Sequence, residues 1–348
     1  MALKSGISQI MDTIGPVQDD WIKPELMQCY TEINTAICHT VAEVEEDQTR
    51  KLKILTQAAS ANGMRLFWGG THPFSVWSEQ EITPIERYHL LVQKMQDTAR
   101  RILTFGMHVH VGVDTGDKAI MLVDRLLRYL PPLLSLSANS PFWCDRNTGL
   151  HSYRSKIMET LPVAGLPPLM RNWSEYLWVV NHSLETGFIN TTREIWWDIR
   201  PHPIFGTVEV RVCDMPQTLE EVVGITAFIQ CLVARLSENI DEGVYQHDTH
   251  PVMVKQNMWK ACRYGLTSTL VDPTTHQAIE ARELIDQLVE VLLPTAEILN
   301  CRKQLEGVLK LTRKPNGAER QRQVYQKTGD MKRVVQTLVE ENPITGRG

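Results

Sequence analysis

The segment Gly106-Met107-His108-Val109-His110-Val111-Gly112-Val113 holds the sharpest chemical signal in the chain. Strand alternation places His108 and His110 on one face and Met107, Val109, Val111 and Val113 on the other. Two imidazoles on one face of an otherwise apolar strand suit a metal or phosphate site. In isolation the pair reads equally well as the polar side of a half-buried strand. The flanking glycines favour function, because they let another backbone or a ligand come close.

A second segment, Thr207-Val208-Glu209-Val210-Arg211-Val212-Cys213-Asp214, turns its valines one way and Thr207, Glu209, Arg211 and Cys213 the other. A carboxylate two residues from a guanidinium can serve a Mg²⁺–phosphate pair. The carboxylate holds the hard cation while arginine forks onto phosphate oxygens. Alone, the pattern also fits a cross-strand ion pair. One strand earlier, Trp196-Trp197-Asp198-Ile199-Arg200-Pro201 puts Asp198 and Arg200 on a shared face. Two neighbouring strands, each with an acid and an arginine, make a charged sheet surface that is costly to bury unless paired or ligated. Near the N-terminus, Gln28, Tyr30, Glu32 and Asn34 share one strand parity. Glu25 has the other parity and reaches the same place only through a bulge or from a position ahead of the strand.

Weaker candidates are His72 in the turn Gly70-Thr71-His72-Pro73 and the loop residues Ser140, Thr148, Ser152, Tyr153 and Arg154. No P-loop, Gly-x-Ser-x-Gly elbow, His-Glu-x-x-His or Gly-x-Gly-x-x-Gly motif occurs. The chemistry indicated is driven by metal and electrostatics, not by a covalent nucleophile.

These residues need strands to align them. The pattern predicts strands over 25–38, 64–68, 106–113, 194–200 and 206–213. Helical periodicity predicts helices over 41–62, 85–104, 117–137 (interrupted near Pro131-Pro132), 172–185, 218–240, 250–265, 280–299, 300–312 and 329–341. Residues 139–170 read as a loop. Strands in the first two thirds and helices in the last third make an α+β fold. No linker divides the chain, which reads as one domain over 1–348.

The whole composition agrees. The chain has 348 residues, 36 Lys+Arg against 41 Asp+Glu, 43% hydrophobic and 22% charged residues. That excludes a collagen-like or disordered chain, and the mild acidic balance argues against nucleic-acid binding. No apolar run is long enough for a membrane span. Seven cysteines without Cys-x-x-Cys spacing, behind an N-terminus lacking a secretory signal pattern, predict small core residues and a cytoplasmic setting.

Taken together, GMHVHVGV, SANSPFW with the following TG and SYR, WWDIRPHPIFGTVEVRVCD and WKACRYGL resemble the type 2 glutamate–cysteine ligase, or carboxylate–amine ligase, family. The resemblance runs from about residue 20 to about residue 340. It implies a glutamine-synthetase-like fold: a curved, mainly antiparallel sheet with the active site on its concave face and helices outside. It implies use of ATP and Mg²⁺ to form an amide from the glutamate γ-carboxylate and the amine of cysteine or another amino acid, through an acyl phosphate. Carried over by position, Glu25, Glu32, Glu209 and His108, or His110 in its place, are the implied metal ligands. Arg211 is the implied phosphoryl-stabilising arginine, and Arg154 and Arg200 are candidates for substrate carboxylate or nucleotide phosphate. The family pattern opens with a Gly-x-Glu-x-Glu strand that has no counterpart before Glu25. The resemblance therefore implies a form without that strand, with weakened Mg²⁺ binding and weak ligase activity. The competing readings are a family member that only binds nucleotide or amino acid, and a metal-dependent hydrolase built on the HxH strand. Small-molecule substrates and a homodimer complete the expectation.

Overall fold

Alternating apolar residues on three segments decide the middle of the molecule. The computed structural model describes residues 1–16, 21–244, 246, 250–272 and 274–341. In chain order the strands are β1 (Ile22–Pro24), β2 (Thr31–Ile33), β3 (Val109–Gly112), β4 (Phe142–Trp143), β5 (Arg146–Asn147), β6 (Ala164–Gly165), β7 (Trp196–Trp197), β8 (Ile199–His202), β9 (Thr207–Val210), β10 (Thr269–Val271) and β11 (Ala278–Glu280). Strand β9 lies between β3 and β8 and runs antiparallel to both. The pairs β1–β2, β4–β5 and β10–β11 are antiparallel, and β6–β7 is parallel. Single bridges, Met27 to Ile82, Thr71 to Thr104 and Gly106 to Asp214, connect the intervening chain. The α+β reading holds, with strands shorter and more broken than their patterns suggest.

The helices are α1 (Ile7–Ile14), α2 (Val41–Ala61), α3 (Glu86–Met95), α4 (Asp97–Arg100), α5 (Gly116–Leu126), α6 (Leu130–Ser137), α7 (Tyr153–Met158), α8 (Trp173–Glu185), α9 (Leu219–Asp241), α10 (Pro251–Tyr264), α11 (Ala281–Ile298), α12 (Arg302–Thr312), α13 (Gly317–Thr328) and α14 (Met331–Glu340). Thr40, Thr115, Asn172, Thr218 and Asn316 each accept a hydrogen bond from a first-turn backbone N–H, which fixes where α2, α5, α8, α9 and α13 begin. Glu221 and Glu319 close full capping boxes at α9 and α13. Pro131 and Pro132 do not break a helix interior. They open α6, where their missing N–H groups have no helical partner to lose.

One face of the central strands is apolar. Val109, Val208, Val210 and Ile199 pack with leucines of α5 and α6 and with Phe228 and Ile229 of α9, and α10, α11 and α12 extend this core. A smaller cluster seats Val334 and Leu338 of α14 on Phe142 of β4. Cys213, Cys231, Cys262 and Cys301 are buried as small core residues. Among the described residues no helix is long and apolar enough to cross a membrane.

Several expectations need correction. Residues 25–38 are not one strand: the chain turns after Pro24 and returns as β2. Residues 64–68 run without a ladder partner. The helix expected over 85–104 breaks at Gln96, whose φ is +50°, into α3 and α4. The loop 139–170 contains β4, β5, α7 and β6. Helix α13 and the β10–β11 hairpin had no clear apolar period to announce them. Cys213 does not share the face of Glu209. Strand β9 ends at Val210, the alternation lapses, and Val212 and Cys213 both enter the core.

Candidate active site

Register brings the first polar group together. His110 lies directly across from Glu209, and Glu209 directly across from Arg200. All three point away from the valine face, as strand parity demands. Glu209 is only 2% exposed. Its Oε2 accepts from Arg200 Nε at 2.7 Å, and its Oε1 accepts from Arg211 Nη1. His110 Nε2 lies 3.5 Å and His108 Nδ1 3.7 Å from the same Oε1. Burial alone would raise the Glu209 pKa. His110, Arg211, Arg200 and His108 outweigh it and hold the carboxyl well below its ordinary range, so it stays charged.

The other members are fixed in different degrees. Arg200 also donates from Nη1 to the carbonyls of Thr192, at 3.3 Å, and Ile195, so its Nε and Nη1 are both engaged. Arg211 engages only Nη1, on Glu209 and near His108 Nδ1 at 3.3 Å. Among the described residues its Nε and Nη2 have no partner. Desolvation in the recess, followed by the Arg211 charge, pushes His108 well below its ordinary value, although 30% of its side chain still meets solvent. His110 Nδ1 lies 2.9 Å from Thr207 Oγ1. Its ring meets those of His202 and Phe205 edge to face.

Arg154 lies beneath this face. Its Nη1 and Nη2 donate to the carbonyls of Val212 and Arg211, each at 3.2 Å, and Asp214 Oδ1 is 3.9 Å away. The residue is 6% exposed. It secures the backbone that carries Arg211. Gly106 makes the room, since a Cβ there would lie 2.3 Å from Arg154 Nη2. The close approach expected at the flanking glycines therefore occurs at Gly106, where a side chain supplies it, while Gly112 faces open space.

Asp214 is a residue that sequence reasoning missed. Its buried carboxylate accepts from Asn139 N at 2.9 Å, Ser140 Oγ at 2.6 Å and Ser152 Oγ at 2.8 Å. It ties the SANS, SYR and VEVRVCD segments into one unit. Burial raises its pKa. The available signal was the acid that ends the valine strand. His202 and Phe205 were also missed. His72 proves to be a turn residue: Nδ1 accepts from Ser75 N at 3.0 Å, and burial lowers its pKa to about 4.

A second acidic group lies on the β1–β2 hairpin. Glu25 occupies the turn ahead of β2, the position its parity required, and its carboxyl reaches that of Glu32. Burial first, and the Glu32 charge second, raise Glu25 to about 7. Asn34 Nδ2 donates to Glu32 Oε1 at 3.1 Å. The expected ligands thus fall into two sets, Glu25 with Glu32 and His108 with His110 and Glu209. Among the described residues no three His, Cys, Asp or Glu side chains are gathered closely enough to hold a metal. The hydrolase alternative loses its basis here, because the histidine pair faces a carboxylate already bound by two arginines.

Comparisons with known proteins identify the family and the fold. The model of glutamate–cysteine ligase family 2 matches residues 1–338. A Gloeobacter violaceus relative, provisionally named glutamate–cysteine ligase 2, is 44% identical over 317 residues, covering 91% of this chain and 85% of its own. A Thermobifida fusca relative of the same name is 40% identical, covering 96% and 84%. The fold is similar to that of a Francisella tularensis glutamate–cysteine ligase solved with AMP, with a TM-score of 0.72 at 10% identity over 97% of this chain and 84% of the other. It is also similar to the Pup ligase PafA solved with ADP, with a TM-score of 0.52 at 13% identity over 90% and 66%. By its sequence along nearly its whole length, the chain belongs to glutamate–cysteine ligase family 2.

Proposed function

We propose that the chain is an ATP-dependent carboxylate–amine ligase of the glutamate–cysteine type. One observation carries the reading at the site: Arg211 is oriented by Glu209 and His108 yet keeps Nε and Nη2 for an anion. A glutamate γ-carboxylate oxygen attacks the γ-phosphorus of ATP, and ADP leaves. The amine nitrogen then attacks the acyl carbon, and phosphate leaves. The first step needs positioning and charge neutralisation, not an enzyme nucleophile. Arg211 faces the equatorial oxygens of the transferred group, Arg200 keeps Glu209 in place, and Arg154 holds the backbone of Arg211 beneath them.

The donor chemistry of Glu25 and Glu32 fits Mg²⁺. Both are hard oxygen ligands, and their mutual repulsion favours a shared cation. Bound there, Mg²⁺ supplies charge neutralisation for the phosphates. The test is ADP release by the purified chain with ATP, Mg²⁺, glutamate and cysteine, with the amide followed by mass spectrometry. Amide and ADP formed one for one are expected. ADP without amide, or no ADP with any amino acid offered, would refute the reading.

A further inference from the structure

The WKACRYGL segment at the end of α10 has no part in the chemistry above. Its Gly265 adopts φ +57°, and a Cβ there would lie 2.3 Å from His151 Nδ1 and 2.6 Å from Asn316 Nδ2. The glycine therefore lets the 139–152 loop and the start of α13 converge. Where they meet is a cavity of about 530 Å³ lined by His151, Arg282, Arg313, Lys314, Glu319 and Arg322, among others. Of its four cations, Arg282 is paired with Glu319 at 3.5 Å and with Glu280 at 3.7 Å, which leaves Arg313, Lys314 and Arg322 without a carboxylate partner among the described residues.

Arg282 donates to the carbonyls of Thr312 and Lys314, which fixes the loop between α12 and α13. Arg322 donates to Leu150 O at 2.7 Å and to Asn147 Oδ1 at 3.3 Å. Arg313 and Lys314 are exposed, with no side-chain partner among the described residues. His151 is 9% exposed, and its Nδ1 is sealed from solvent without a hydrogen bond. Burial and the Arg322 and Arg263 charges lower its pKa to about 4. Arg282 and Arg322, held by backbone carbonyls, together with Arg313 and Lys314 give the recess a positive charge that suits an anion.

We propose that this cavity binds a small polyanion carrying two or more phosphate or carboxylate groups. Its lining shares no residue with the strand site. The experiment is titration calorimetry of the full chain with pyrophosphate and with citrate, in buffer containing EDTA. Three proteins are compared: wild type, R313E/K314E, and Arg211→Gln as the control for anion binding at the strand site. We expect saturable 1:1 binding by wild type, weakened about tenfold or more in the double variant and kept in Arg211→Gln. Binding of pyrophosphate alone assigns a phosphate ligand, and binding of both assigns any small polyanion. Should the double variant fail to fold, Lys314→Glu is read in the same way. Absence of saturable binding, equal binding after charge reversal, or loss in Arg211→Gln would overturn the proposal.

Discussion

Glu209 lies between two guanidiniums and two imidazoles, and that position makes it a structural and a chemical residue at once. Glu209→Gln removes the buried carboxylate that pairs with the half-buried Arg200 and Arg211. Breaking a buried pair costs about 3–5 kcal/mol, so urea unfolding should shift by that order. The pH dependence has a definite sign. The folded carboxyl lies below its ordinary 4.5, so its stabilisation is present above about that pH and fades as pH falls further. Arg211→Lys keeps a charge but loses the fork. We expect kcat to fall roughly 10²–10³-fold with a nearly unchanged melting temperature, measured by ADP release and calorimetry.

Glu25 runs the other way. Its folded value of about 7 is above its ordinary 4.5, so its contribution is complete at low pH and is lost as pH rises through about 7. Glu25→Gln should therefore raise the melting temperature at pH 8 and leave it nearly unchanged at pH 4. Mg²⁺ should stabilise wild type at pH 8 and stabilise the variant less.

At the scale of elements, β3 is held against the polypeptide after β9 by one missing side chain. Gly106→Ala pushes a methyl group into the Arg154 guanidinium, which is pinned by two carbonyls and cannot swing away freely. Overpacking of this kind costs about 1–3 kcal/mol, checked by chemical denaturation. Arg211 should be displaced as well, since Arg154 holds its carbonyl. The variant is therefore expected to lose activity beyond what its stability loss explains.

For the whole molecule, the C-terminal helix α14 closes a cluster that includes Phe142, next to the Ser140 anchor of the site. Leu338→Ala should cost about 2–5 kcal/mol in unfolding free energy. The long amphipathic helices were legible in the sequence because caps and apolar periods agreed, as at Thr40 and Thr218. The common face of His108, His110, Glu209 and Arg200 was legible because strand parity alone decides it. Two things were not. Where strands end depends on tertiary contacts, so Cys213 was assigned to the wrong face. The role of Arg154 depends on a chain crossing at Gly106 that no local pattern encodes.

Asp214 joins partners 62 to 75 residues away along the chain. Loops of that size close slowly, because their entropy must be lost before the contact rewards it. The helices form from local contacts and need not wait. During refolding, the far-UV dichroism signal should thus return before nucleotide affinity, and Arg211 should be among the last groups to reach its place. The interval between the two signals would show a species that is helical but catalytically silent.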